Sequence, residues 1–346
     1  MKWLVGLLLP ITVLQAQNKI NWDTTRYQKF RSNLIIGFFQ TYRNFDNTFS
    51  PANPGASGLA THNYVAESTL SSGIDVNFDK VGFSLGLRSK PQNNSAGKGH
   101  TKAISIGFNT GGNRWFLENS YRLFSGFYDA NTPLYDTNFK HQHEYHLEPQ
   151  LRNQIIKSKF FFFSNHKKFS FRSNYVANYR QLRSSATWVL SANINYTDLH
   201  NNREFFSAET RQSYLDHAGL KGLSVFGVSA NGGAAATIVI WRAMFLHLMF
   251  VVGPEQQWRR YSFTDKAEQH LSYVALSGDF RAAWGFNWKR AYLIWSSTND
   301  FVFYNNAAVT ISSKNLSGSF MFGWRFNTKA PKLYQNFQQT KLYTFL

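Results

Sequence analysis

From residue 33 onward the chain repeats one pattern: stretches in which apolar or aromatic side chains alternate with small, polar or charged ones. Val81-Phe83-Leu85-Leu87 alternates with Gly82-Ser84-Gly86-Arg88, and Ile104-Ile106-Phe108 with Ala103-Ser105-Gly107. Trp115-Leu117-Asn119-Tyr121-Leu123 interleaves with Arg114-Phe116-Glu118-Ser120-Arg122, and Phe320-Phe322-Trp324-Phe326 with Ser319-Met321-Gly323-Arg325. Successive side chains of a strand point to opposite faces, so each stretch has one apolar and one polar face. A soluble β-sandwich alternates too. Two features separate the cases. Many stretches reach the ~9–11 residues that cross a bilayer at a tilt, rather than the ~5–6 usual in globular sheets. Their apolar faces also carry aromatics near both ends, as an interfacial girdle does. The reading is an all-β protein, an antiparallel transmembrane β-barrel.

The predicted strands are 33–42, 69–78, 81–89, 101–110, 114–128, 151–163, 169–180, 186–198, 223–240, 243–261, 273–287, 291–304 and 316–327. Bacterial barrels have an even number. Thirteen therefore means one segment near 181–221 is misassigned, and the expectation is about twelve strands, within 10–14. Asp79-Lys80, Gly111-Gly112-Asn113, Ser164 to Lys168 and Lys289-Arg290 read as short hairpin connections. Longer polar segments fall at 46–66, 90–100, 130–148, 200–221 and 263–271, the asymmetry of short periplasmic turns and long outer loops. Gly232-Gly233 and Pro254 suit a bulge or a strand end. The aromatic-rich strand ending at 327 is expected to be the last, with 328–346 an extension; Tyr343 to Leu346 leave open a rival last strand in the tail.

The first sixteen residues agree with a barrel. Lys2 precedes an apolar run from Trp3 to Leu14, and Ala16 offers a cleavage site: a secretory signal, with 17–32 a periplasmic lead-in to a barrel over 33–327. Downstream, Ala234 to Val252 comes nearest to a membrane helix, but Trp241-Arg242 and His247 interrupt it. Cysteine is absent, so there is no lipoprotein anchor, and a closed ladder needs no disulfide. The net charge of +18 would suggest nucleic acid; export argues against that. It points instead to outer-membrane lipid, above all the phosphorylated groups of lipopolysaccharide, in a Gram-negative outer membrane.

Three segments, 97–128, 159–196 and 317–326, together resemble the Bacteroidota outer-membrane proteins grouped as domain of unknown function 4421. The most specific pieces are Asn165-His166-Lys167-Lys168-Phe169-Ser170 and Gly97-Lys98-Gly99 followed by Thr101-Lys102. The resemblance implies an outer-membrane barrel and brings no catalytic residues.

With aromatic faces outward, Asp75, Arg88, Glu118, Arg122, Arg172, Arg180, Asp279, Arg281 and Arg325 point into the lumen. An open lumen lined by these arginines favours anions; charges paired across it would instead brace a closed barrel. Lys167-Lys168 and Trp258-Arg259-Arg260 fit interfacial lipid contacts. His141, His143 and His146, with Glu144, could share a metal if the backbone there is extended, though the segment lacks a recognised ligand motif, and neither metal nor cofactor is expected. Gly97-Lys98-Gly99-His100 precedes a strand rather than a helix, which removes the phosphate-loop mechanism. His247 is the one histidine well inside a strand, and no serine is linked to it by motif. The functional expectation is a passive or gated small-solute channel. The alternatives are a structural or assembly barrel of the envelope or a secretion system, and more remotely a lipid-modifying enzyme; no catalytic residue is assigned.

Overall fold

The computed structural model describes residues 22–341 and 343, apart from 52–60, 68–69, 90–96 and 304–308. The signal segment and its cleavage site, and the end of the tail, lie outside the described residues. In chain order the strands are β1 (Tyr27–Lys29), β2 (Asn33–Pro51), β3 (His62–Val65), β4 (Leu70–Phe78), β5 (Val81–Arg88), β6 (Lys102–Gly111), β7 (Trp115–Asp129), β8 (Leu147–Phe163), β9 (Tyr179–Gln181), β10 (Ser185–His200), β11 (Leu220–Ile240), β12 (Met244–Phe263), β13 (Gln269–Asn287), β14 (Ala291–Phe303) and β15 (Val309–Asn327). The helices are short: α1 (Thr132–Tyr135), α2 (Phe139–Gln142), α3 (Arg172–Tyr175) and α4 (Lys332–Gln338).

Twelve strands, all but β1, β3 and β9, form one antiparallel wall in sequence order. It closes where β15 pairs with β2, from Val309↔Pro51 to Asn327↔Asn33. Closure satisfies both edge ladders internally, the condition for a sheet to sit in hydrocarbon. The outer face carries Phe38, Phe83, Leu85, Leu190, Leu246, Leu248, Phe250, Trp284 and Phe322, all exposed. That is the lipid-facing belt of a membrane barrel. β11, β12 and β13 run 19–21 residues, more than a bilayer needs, and extend the wall on the long-loop side.

Two expectations need correction, and the open question of the last strand is decided. Residues 169–180 are no wall strand: Ser164 to Ser184 leaves the wall between β8 and β10, and carries α3 and β9 into the barrel end. This is the thirteenth segment. Pro254 stays within β12, and the register runs on from Ser229↔Glu255 to Gly232↔Val252, because a missing N–H removes a rung without shifting the strands. The tail turns into α4 beneath the β4–β5 turn, where the hydroxyls of Tyr334 and Tyr343 reach Asp79, so β15 is the last wall strand.

Candidate functional site

The barrel interior is filled in three layers. The lowest, at the short-turn end, is the infolded 164–184 segment. Phe169 and Phe171 are fully buried and pack on the inward Phe116, Phe161 and Phe163, with ring centroids 5.1–5.7 Å apart. Arg172, also fully buried, donates to Asp79 O (3.0 Å), Lys80 O (3.3 Å), Gly111 O and Asn178 Oδ1 (3.0 Å). Its guanidinium thus ties the plug to two hairpin turns, offsetting the desolvation of a buried charge with four acceptors. From the wall, Arg325 Nε donates to Ala177 O at 2.8 Å, and Asn287 Nδ2 to Ser173 O at 2.9 Å. Asn174 Nδ2 donates to His247 Nδ1 (3.1 Å).

The N-terminal lead-in completes this layer. β1 pairs with β9, Tyr27 donates to His166 O at 3.0 Å, and Phe30 lies under the Arg325 guanidinium at 4.1 Å. Lys29 sits 3.8 Å over the Trp22 ring; burial, then Arg31 and Lys80, push its amine down to about 7.

The middle layer is ionic. Lys159 on β8 lies 2.8 Å from Asp279 on β13 and also meets Asp300 on β14, which is 2.7 Å from Lys157. Arg281 holds Asp279 at 2.9 Å and reaches Glu118 on β7 at 2.8 Å. In the ring of strands β7 and β8 stand opposite β13 and β14, so these pairs span the lumen. Arg281 rests 5.0 Å over the Phe161 ring, joining this layer to the plug. Two small cavities of about 50 and 20 Å³ adjoin the network, each with room for water.

The upper layer is aromatic. The loop between β10 and β11 folds over the mouth and buries Phe205, Phe206 and Tyr214 against Phe49, Tyr64, Leu151, Tyr261 and Phe263. A buried latch pins it: His62 Nδ1 is 2.5 Å from Asp129 Oδ2, and Nε2 is 2.6 Å from Thr210 Oγ1. The carboxylate can only accept, so Nδ1 donates to it.

One protein family, described as a domain of unknown function (DUF4421), matches residues 21–326, from the lead-in through the last strand. The chain belongs to this family. No curated protein matches the DUF4421 chain. Among solved structures it is similar to Ail, the attachment invasion locus protein of Yersinia pestis, at 14% identity over 65% of this chain and 98% of that one, TM-score 0.23. It is also similar to a Pseudomonas aeruginosa FadL homologue (10%, 85% and 90%, 0.28) and to the P. putida toluene transporter TodX (6%, 87% and 91%, 0.27). At those scores the likeness says nothing about cargo.

In the DUF4421 barrel the nine charges read as lumenal do not share one surface. Glu118, Arg122, Asp279 and Arg281 belong to the central layer. Asp75 and Arg325 are buried inward nearer the short-turn end. Arg88 turns to Glu67 and the Thr101 carbonyl near the loops. Arg172 is in the plug, and Arg180, on β9, donates to Arg242 O at a corner (2.9 Å). Lys167 and Lys168 stand exposed at the 164–168 corner, and Trp258 and Arg260 face outward. Arg259 does not: strand parity turns it inward, where it donates to Gln257 Oε1 and lies 4.7 Å from the Tyr273 ring. The extended backbone that would align His141 and His143 is absent. His141 lies in α2, His143 ends it at φ 52°, and His146 faces Glu148 at 2.9 Å.

Lys157, Lys159 and Asp300 escaped sequence reasoning. Phe160 to Phe163 make both faces of β8 aromatic, hiding its parity. The usable signal was that Lys157, Lys159 and the inward Phe161 share one parity.

Proposed function

We propose that this chain is an outer-membrane barrel of the structural or binding kind, closed at rest, whose working surfaces are its two ends rather than its lumen. The observation that carries the reading is Lys159, held by Asp279 and Asp300 from the opposite wall between a plug and an aromatic cap. An arginine-lined pathway needs free cations along a continuous wet lumen; here Arg281 and Arg172 are engaged. The same reading places the barrel in a Gram-negative outer membrane after cleavage near Ala16, among envelope lipids and protein partners. It assigns no catalytic activity: His247, the sequence's one enzyme candidate, is sealed against the plug.

Planar-bilayer recording of the purified, heat-modifiable protein tests it. The expected result is a folded barrel without steady conductance. Stable open steps from the unaltered protein would overturn closure at rest. They would favour the second reading, a gated channel, which the loop origin of both plug and cap supports.

A further inference from the structure

The chain's positive charge is not spread evenly. Six corners meet at the short-turn end, and each carries basic side chains. Arg114 stands at the β6–β7 corner, Lys167, Lys168 and Arg183 at β8–β10, Arg242 at β11–β12, Lys289 and Arg290 at β13–β14, and Arg31 and Lys329 where the wall begins and ends. All of these are exposed. At the sixth, β4–β5, Lys80 is covered by Tyr343, and the covering tail presents Lys332 and Lys341 in its place.

The carboxylates at this end are already occupied. Asp79 accepts from the hydroxyls of Tyr334 and Tyr343, Asp23 is 3.8 Å from Arg26, and Asp75 is buried inside the wall. Among the described residues no carboxylate lies within 4 Å of Arg114, Lys167, Lys168, Arg242, Lys289 or Arg290. At the loop end, by contrast, Arg88, Arg203 and Arg211 face Glu67, Glu148 and Glu204.

A second observation fixes the kind of partner. Tryptophans accompany the basic corners on the outward face. Trp115 follows Arg114, whose guanidinium lies 5.5 Å from its ring. Trp241 precedes Arg242 and Trp288 precedes Lys289, while Trp188 and Trp324 lie just inside the β8–β10 and terminal corners. Trp241 is 87% and Trp188 73% exposed. Tryptophan settles where hydrocarbon meets headgroup, and a cation one step further along the strand reaches the phosphate layer. A docking patch for an acidic protein would gather its cations on one side; these encircle the barrel.

We infer that the short-turn rim is a circular binding surface for anionic phospholipid headgroups, selecting them over zwitterionic ones in the leaflet it faces. The inference rests on the membrane-barrel reading above, and heat-modifiable migration of the inserted protein checks that reading separately.

The test is tryptophan quenching of the full-length folded barrel in mixed phosphatidylcholine–phosphatidylglycerol vesicles, with bromine carried first by one lipid and then by the other. The expected result is a preference for phosphatidylglycerol on the order of threefold at low salt, falling toward unity at high salt. Combined Lys167→Ser, Lys168→Ser, Arg242→Ser, Lys289→Ser and Arg290→Ser should abolish it. Lys102→Ser and Arg152→Ser together, on the loop side, should leave most of it. If the fivefold variant does not insert, Arg242→Ser alone should lower the preference measurably. Equal quenching by both lipids in the unaltered barrel would overturn the inference and leave the corners as a face for acidic proteins. Equal loss in the loop-side variant would overturn it too, by showing that total charge and not the ring is responsible.

Discussion

Lys159 Nζ lies 2.8 Å from Asp279 Oδ2 across the barrel, between strands that never touch in the wall. The pair makes the lumen part of the fold. Removing one partner from such a buried network leaves uncompensated charge, which costs more than the pair itself contributes. Asp300→Asn strips Lys157 of its carboxylate and leaves Lys159 with Asp279 alone. The expected loss is ~3 kcal/mol, read by urea unfolding in vesicles. Adding Lys157→Met to Asp300→Asn should recover part of it, because the stranded charge goes too. A single variant as stable as the unaltered protein would mean that water, not the carboxylate, satisfies these lysines.

Arg172 concentrates the docking of the plug in one side chain. Arg172→Met keeps the bulk and removes the donor to Gly111 O, while Asp79 O keeps Asn178 Nδ2 and Lys80 O keeps the Gly111 N–H. A buried acceptor left unsatisfied costs ~1–3 kcal/mol, and the guanidinium's ties from the plug to both hairpin turns are lost with it, so the docking of the plug weakens. Trypsin should then cut at Lys167-Lys168 well before it cuts the unaltered barrel, with the wall intact by heat-modifiable migration. Unchanged cleavage kinetics would show that Phe169 and Phe171 hold the plug without the arginine.

The wall was largely legible because lipid on one side and a packed interior on the other impose period two on every strand. The predicted starts and ends at 33 and 327 coincide with those of β2 and β15. What was not legible depends on contacts far along the chain. Phe169, Phe171, Ser173 and Tyr175 alternate like wall residues, yet the segment is placed by the bonds of the intervening Arg172 to Gly111 and of Asn174 to Thr237 and His247, 61–73 residues away. Arg259 shows the reverse: with Trp258 outward, parity alone turns it inward, and the adjacent Arg260 obscured that.

The aromatic cap depends on the His62 latch. Thr210→Val preserves shape and removes the hydroxyl that meets Nε2 at 2.6 Å. The expected cost is ~1–2 kcal/mol, so amide exchange over 205–217 should quicken by roughly tenfold while the wall strands stay protected. Phe206 stacks on Tyr214 at 3.5 Å, and Phe206→Ala should open the same loop more fully, at ~3–5 kcal/mol. If exchange stays slow in both variants, the loop is held by the rim strands and not by the latch.

Docking of the N-terminal lead-in should depend on pH through Lys29. Burial, then the neighbouring Arg31 and Lys80, lower its amine to about 7 in the docked state, with Asp79 opposing them. A released segment has an ordinary lysine near ~10.4. The released state therefore binds the proton more tightly between these values, and docking strengthens as pH rises from about 7 toward ~10.4. Below about 7 both states are charged, and the contribution is fully lost. Trp22, 3.8 Å from the amine, reports the change. Protection of residues 22–31 in amide exchange, after correction for intrinsic rates, should be greater at the alkaline end of this window than at neutral pH. Lys29→Met, which keeps the packing and removes the titration, should hold the segment at the alkaline level throughout. A lead-in whose corrected protection is the same across the window in the unaltered protein would show that Lys29 stays charged when docked, with the Trp22 ring as sufficient partner.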